Sequence, residues 1–138
     1  MKEKTKVGVV TILKNKNKIL LGKRLTEHGF KEWGLVGGHL EINESIEDCA
    51  IREVNEETKI QIKSPKFITE INVSFPNKEQ YKAIIFLSET SKDPENTEPK
   101  KLECWKWFDW NSLPEPLFLP VRMLQEEGIF KQIFENNN

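Results

Sequence analysis

Cysteine is scarce: Cys49 and Cys104 are the only two in 138 residues, and neither their number nor their spacing suits a disulfide framework or a zinc site. Both read as small core residues, and a reduced cytosolic setting suits them. Excess charge is also missing, because 21 Lys and Arg stand against 22 Asp and Glu, which removes any general pull toward nucleic acid or an anionic membrane. An anionic ligand must then be met by local groups. No run approaches the roughly 18 apolar residues of a membrane span. The polar opening MKEKTK enters an alternating pattern without the apolar stretch of a signal peptide. A cytoplasmic protein is expected, with neither a nucleic-acid polymer nor a membrane as partner.

What is present is enough apolar material for a folded domain, since Phe, Trp, Ile and Leu recur along a chain of ordinary domain length, and one domain over residues 1–138 is expected. Residues 7–13 and 18–23 are apolar and β-branched around the polar turn Lys14-Asn15-Lys16-Asn17, a hairpin pattern. Residues 33–40 hold Gly34, Gly37 and Gly38, a density that reads as a loop with unusual backbone angles or close approaches. Residues 45–58 have helical spacing with Ser45 as N-cap. Residues 66–75, 80–88 and 105–108 have strand character, residues 91–101 read as a loop, and a second helix over residues 120–127 should stop at Gly128. Residues 136–138 read as a frayed end. This alternation predicts an α/β (α+β) domain with a mixed sheet and helices packed on it.

The helix at 45–58 carries an anomaly. With side chains about 100° apart, Ile46, Cys49, Ala50 and Val54 form the core-facing stripe, and Glu53 and Glu57 fall within about 20° of Ile46, inside it. Asp48, Arg52, Asn55 and Lys59 lie opposite, and Glu56 flanks the stripe. An inward-facing carboxylate costs several kcal/mol unless paired or bound to metal, and two of them repel. Glu53, Glu56 and Glu57 at i, i+3 and i+4 are close enough to share a hard divalent ion such as Mg²⁺ or Mn²⁺. The plainer alternative is a solvated acidic face, which the helical geometry disfavours. An EF-hand loop is excluded, because its alternating Asp and Asn with a central Gly are missing.

Residues 38–60, GHLEINESIEDCAIREVNEETKI, resemble the Nudix signature: Gly38, Glu44, then Arg52-Glu53-Val54-Asn55-Glu56-Glu57 at the family spacing. Two positions depart from it, Lys59 where the family has glycine and Val36 where it has proline. The likeness extends to ILLGKR at 19–24 and CWKWFDWNSLPEPLF at 104–118, which together are similar to the MutT-like nucleoside triphosphate diphosphatases, and within them to the eukaryotic thiopurine-nucleotide diphosphatases. The resemblance implies a Nudix α/β/α sandwich around a mixed β-sheet and a Mg²⁺ cofactor, with Mn²⁺ as a substitute. It implies metal ligation by Glu53, Glu56, Glu57 and the Gly37 carbonyl, with Arg52 and Glu44 supporting catalysis. Glu53 is the expected general base, with Glu98 and Glu103 as distant alternatives. Lys23 and Arg24 are expected at the phosphates, Gly38 and His39 beside the substrate, and Trp105 at the base. Trp107 and Trp110 read as packing.

The implied reaction is hydrolysis of (deoxy)nucleoside triphosphates, modified purines among them, to monophosphate and pyrophosphate. Two alternatives stand beside it: cleavage of nucleoside diphosphate-linked substrates such as nucleotide sugars, and a non-catalytic nucleotide-binding module. Intact Glu44, Arg52, Glu53, Glu56 and Glu57 argue against the last, because a binding module has no need of costly inward carboxylates. Members of this type form homodimers, which the aromatic content permits.

Overall fold

In the computed structural model, which describes residues 5–135, the opening hairpin forms from the β-branched runs: β1 spans Lys6–Asn15 and β2 spans Lys18–Arg24, with Lys16 at φ 57 in the turn. β1 is the organising strand. Its edges pair with β2 and β4 (Val36–His39) antiparallel and with β6 (Gln80–Glu89) parallel, in register from Lys6↔Tyr81 to Lys14↔Glu89. β5 (Lys66–Ser74) adds to the far side of β6, while β3 (Trp33–Gly34) and β7 (Leu102–Asp109) pair with β2, giving a seven-stranded mixed sheet. The expected glycine loop at 33–40 is thus two short strands. Gly37 allows this, because a Cβ there would stand 2.6 Å from the Val9 carbonyl oxygen.

Both faces of the sheet are covered, which explains why its central strands are apolar without a break. Ile12, Ile19, Leu21 and Ile85 face one way, into a cluster with Val121 and Leu124 of α2 (Leu119–Glu126) and Phe130 and Phe134 of α3 (Ile129–Glu135). Their neighbours Leu13 and Leu20 face the other way with Val54, and Val9, Ile84 and Phe86 pack on Cys49 and Ala50 of α1 (Ile46–Thr58). The result is the mixed sheet between helices expected from the sequence. Two details differ: α2 is followed by α3, because Gly128 at φ 76 turns the chain and a new helix starts at once, and Cys104 is half-buried where only Cys49 is fully enclosed. Trp110 stacks on Phe134 and Trp33 meets Phe108 edge-on, so these indoles serve packing. Residues 136–138 lie outside the described residues. Among those described, no helix is long and apolar enough to cross a membrane.

Helix α1 is closed at both ends by groups outside its own backbone. The Ser45 hydroxyl accepts from the Asp48 N–H at 3.0 Å, as an N-cap does. At the other end the last-turn carbonyls, which have no intrahelical donors, are met by residues 95–97 and β7: the Thr97 hydroxyl donates to Glu56, the Trp105 indole to Glu57 and the Glu95 N–H to Thr58, at 2.7, 3.2 and 2.9 Å. The chain leaves through Lys59 in the left-handed region, φ 66 and ψ 9. Glycine adopts this conformation without the Cβ penalty. Lys59→Gly is therefore expected to stabilise the fold by about 1 kcal/mol and raise the melting temperature by a few degrees, read by thermal denaturation.

Candidate active site

Glu44 and Arg52 define the site's frame. The wheel puts Arg52 on the solvent side of α1, but helical side chains lean toward the N-terminus, and this one curls back over the loop that precedes the helix. Its Nε and Nη2 donate to the two oxygens of Glu44 at 2.6 and 3.0 Å, its Nη1 to Glu53 at 2.7 Å and to Glu56 at 3.1 Å, and Nη2 also reaches the His39 carbonyl at 3.1 Å. Glu41 stands 3.7 Å away. The bidentate contact holds the Glu44 carboxyl down at about 2. Beside it, burial first and then the Glu44 charge push the Cys49 thiol up to about 12, so Cys49 is an inert filler.

Glu53 and Glu57 face inward as the helical spacing predicts. Glu53 lies where a side chain on residue 38 would have to go: a Cβ built on Gly38 would collide with the Glu53 carboxyl group. Glu57 is deeper. Burial, then the charge of Glu53 and a hydrogen bond with it, push its carboxyl up to about 9, against an opposing hydrogen bond from Gly37. Two crowded carboxyls in that state fit a hard cation, since a divalent ion would let both ionise. Among the described residues, no three His, Cys, Asp or Glu side chains converge on one point as they stand. Arg52 holds Glu53 and Glu56 instead.

Three connected hollows meet at Gly37. An acidic cleft of about 470 Å³ is lined by Glu53, Glu56, Glu57, Thr97, Glu98 and Lys101. It opens into a smaller cleft of about 130 Å³ between Arg24, Glu57, Lys101 and Trp105, with Gly22, Gly34 and Gly37 in its walls. Beyond Arg24 lies a largely apolar pocket of about 180 Å³, walled by His28, Phe75, Tyr81, Phe118 and His39. Phe75 and Phe118 stack at 5.4 Å, His28 meets Phe75 edge-on at 4.3 Å, and His39 stacks on Tyr81 and exchanges a 3.1 Å hydrogen bond with its hydroxyl. Arg24 stands between pocket and clefts. Its guanidinium donates to the His28 carbonyl at 3.0 and 3.2 Å and to Thr26 at 3.2 Å, and lies 3.8 Å over the Phe118 ring. Burial lowers its pKa, and it makes no ion pair among the described residues.

Of the residues singled out in the sequence, Arg24, Gly37, Gly38, His39, Glu53, Glu56, Glu57 and Trp105 border these hollows, and Glu44 and Arg52 stand behind them. Lys23 does not. Its ammonium lies 5.9 Å over the Trp33 ring and pairs with Glu103 at 3.8 Å. Of the two distant carboxylates, Glu98 therefore lies in the site and Glu103 outside it. Trp105 borders the small cleft, away from the aromatic pocket, and its indole N–H is occupied by the end of α1. Sequence reasoning missed Lys101, His28, Phe75, Tyr81 and Phe118, since aromatic residues on separate strands and loops carry no local sign that they will converge.

The two shifted carboxyls imply opposite pH responses. Glu57, raised from 4.5 to about 9, stabilises the metal-free fold below the unfolded value, and that contribution is lost as pH rises toward 9. Glu44, lowered to about 2, contributes above 4.5 and loses its contribution as pH falls toward 2. In EDTA, urea midpoints of the wild type are expected to fall between pH 5 and pH 9, windows of about four units set by that shift. Glu57→Gln should flatten this limb, and an unchanged slope would place the shift elsewhere.

Residues 2–127 match the NUDIX domain family. Among solved structures, a MutT NUDIX hydrolase from Burkholderia pseudomallei aligns with a TM-score of 0.84 and 29% identity, covering 90% of this chain and 98% of that one. A MutT protein from Methanosarcina mazei aligns at 0.81 and 22% identity over 100% and 99% of the two chains, a likeness of fold. The NAD-capped RNA hydrolase NudC of Vibrio atlanticus is 29% identical over 123 residues, 88% of this chain and 44% of that protein. The chain thus spans less than half the length of this curated relative. These matches do not extend to the narrower likeness with the eukaryotic thiopurine-nucleotide diphosphatases. They agree with the carboxylate helix in one respect that settles the family: nearly the whole of this chain belongs to the Nudix hydrolases.

Proposed function

We propose that this protein is a divalent-metal-dependent hydrolase of (deoxy)nucleoside triphosphates, modified purines among them, releasing the monophosphate and pyrophosphate. The observation that carries this reading is the order of chemistries along the groove: an aromatic pocket, then the half-buried cation Arg24, then the Glu53–Glu57 pair. A nucleotide presents the same order, a flat apolar base followed by anionic phosphates. Among the described residues Arg24 forms no close ion pair with a carboxylate, and its planar fork at the meeting of pocket and cleft suits it to a substrate phosphate. We further take the chain as one cytoplasmic domain able to form a homodimer.

Glu53, Glu56 and Glu57 would hold Mg²⁺ or Mn²⁺, with the Gly37 carbonyl as a main-chain donor. Such an ion neutralises diphosphate charge and acidifies a bound water. Arg52 keeps Glu53 and Glu56 aimed at the cleft, and Glu44 keeps Arg52 in place. Glu53 accepts the proton of the attacking water, with Glu98 across the cleft as its alternative. His39, stacked on Tyr81, borders the base.

A second reading, a nucleoside diphosphate-linked substrate, is favoured by the name of the NudC relative. The product separates the two: pyrophosphate from a triphosphate, or two monophosphates from a linked diphosphate. In a panel of triphosphates, modified purines, NAD-type dinucleotides and nucleotide sugars, magnesium-dependent pyrophosphate release is expected from triphosphates. Glu53→Gln and Glu57→Gln should each lower kcat by roughly 100-fold or more with the fold intact by circular dichroism. Turnover in both variants near the wild-type value would remove these residues from the site. Only Glu98→Gln abolishing turnover would move the base to Glu98.

A further inference from the structure

Residues 91–101 read in the sequence as connecting chain, yet their end is fixed to the sheet at the groove. The Leu25 N–H donates to the Lys101 carbonyl at 2.9 Å, Arg24 pairs with Leu102 across β2 and β7, and the Lys101 N–H returns to Glu98 at 2.9 Å. Arg24 and Lys101 therefore stand at adjoining strand ends, with their main chains locked together by the ladder. Both border the small cleft beside Glu57, and Lys101 also borders the acidic cleft. Gly22, Gly34 and Gly37 share the walls of the small cleft, and the absence of a side chain at Gly22 lets Leu102 and Trp105 of β7 close on β2 there.

Resting on the function proposed above, we propose that Lys101 is the second phosphate-binding cation of this site, closing with Arg24 on the polyphosphate tail of the substrate. The role that the sequence suggests for Lys23 thus passes to a lysine distant in sequence but adjacent in space. The Lys101 ammonium is 3.4 Å from Glu98, and this ion pair is mostly solvent-exposed, with side-chain accessibilities of 67% and 46%. Such a pair holds weakly, so the ammonium can turn from Glu98 to a phosphate at little cost. Glu98, with Glu53 and Glu56 in the acidic cleft, repels a bare anion, so the tail enters with a divalent cation. A terminal tail carries more charge than an internal diphosphate, so Lys101 favours triphosphates over dinucleotides.

The test compares the full chain with Lys101→Ala, Lys101→Arg and Lys23→Ala, by KM and kcat on the panel above and by calorimetric binding of pyrophosphate with Mg²⁺. Lys101→Ala is expected to raise KM for triphosphates and weaken magnesium pyrophosphate binding by about tenfold, with a smaller effect on dinucleotides. Lys101→Arg should restore most of both, and Lys23→Ala should change neither. Unaltered pyrophosphate affinity and KM in Lys101→Ala would overturn the proposal, as would failure of the wild type to bind pyrophosphate. Pyrophosphate binding that depends on Lys101, in a protein that hydrolyses no triphosphate, would leave the clamp standing and remove the triphosphatase reading.

Discussion

One guanidinium decides whether the carboxylates of helix α1 can coexist. Arg52 engages Glu44, Glu53, Glu56 and the His39 carbonyl at once, which uses the five donors of the group in a fixed plane. Lysine, with three rotatable donors on one nitrogen, would not span these partners. The same contacts fasten the loop ahead of the helix to its second turn, so the end of β4 that carries His39 and the turn that carries Glu53 are tied together. The hydrogen bonds at the far end of α1, from Thr97, Trp105 and Glu95, do the corresponding work for Glu57. The helix is thus clamped at both turns that bear the inward carboxylates, at one by its own Arg52 reaching back to the preceding loop and at the other by residues 95–97 and β7.

The position of the groove follows from the sheet. β2 leaves β1 after the hairpin to pair with β7 and β3, while β4 takes its place along β1. Where the two arrangements part, strand ends and glycines meet, and the hollows open there. Irregular pairing on one side of a well-packed central strand is thus what makes room for a ligand, while the Ile12 and Leu13 faces on either side keep the frame rigid.

How much of this could be read from the chain depends on the range of the interaction. The inward turn of Glu53 and Glu57 was legible because a helical period is local and the apolar stripe of Cys49, Ala50 and Val54 marks its direction. The left-handed exit at Lys59 is signalled in the sequence only by the glycine that the Nudix signature has at that position. Lys23 and Arg24, neighbours of one charge, meet different partners, Glu103 and Trp33 for the first and His28 and Phe118 for the second, and that is set by the irregular pairing of β2 with β7 at this point. The glycine-rich stretch reads as loop in the sequence because its partners are strands remote in the chain. Residues 95–101 carry the least local signal and the largest tertiary role, since their polar groups find their partners on α1 and at the end of β2.

The contact between Gly38 and the Glu53 carboxyl has an evolutionary side. The space a side chain would take at residue 38 is filled by the working end of another residue, so drift at either position is tied to the other. A larger residue at 38 becomes tolerable only after Glu53 has shortened or turned away, and by then the carboxylate pair has gone. In descendants of such a chain, loss of the glycine and loss of the aimed carboxylate would go together while the frame stayed.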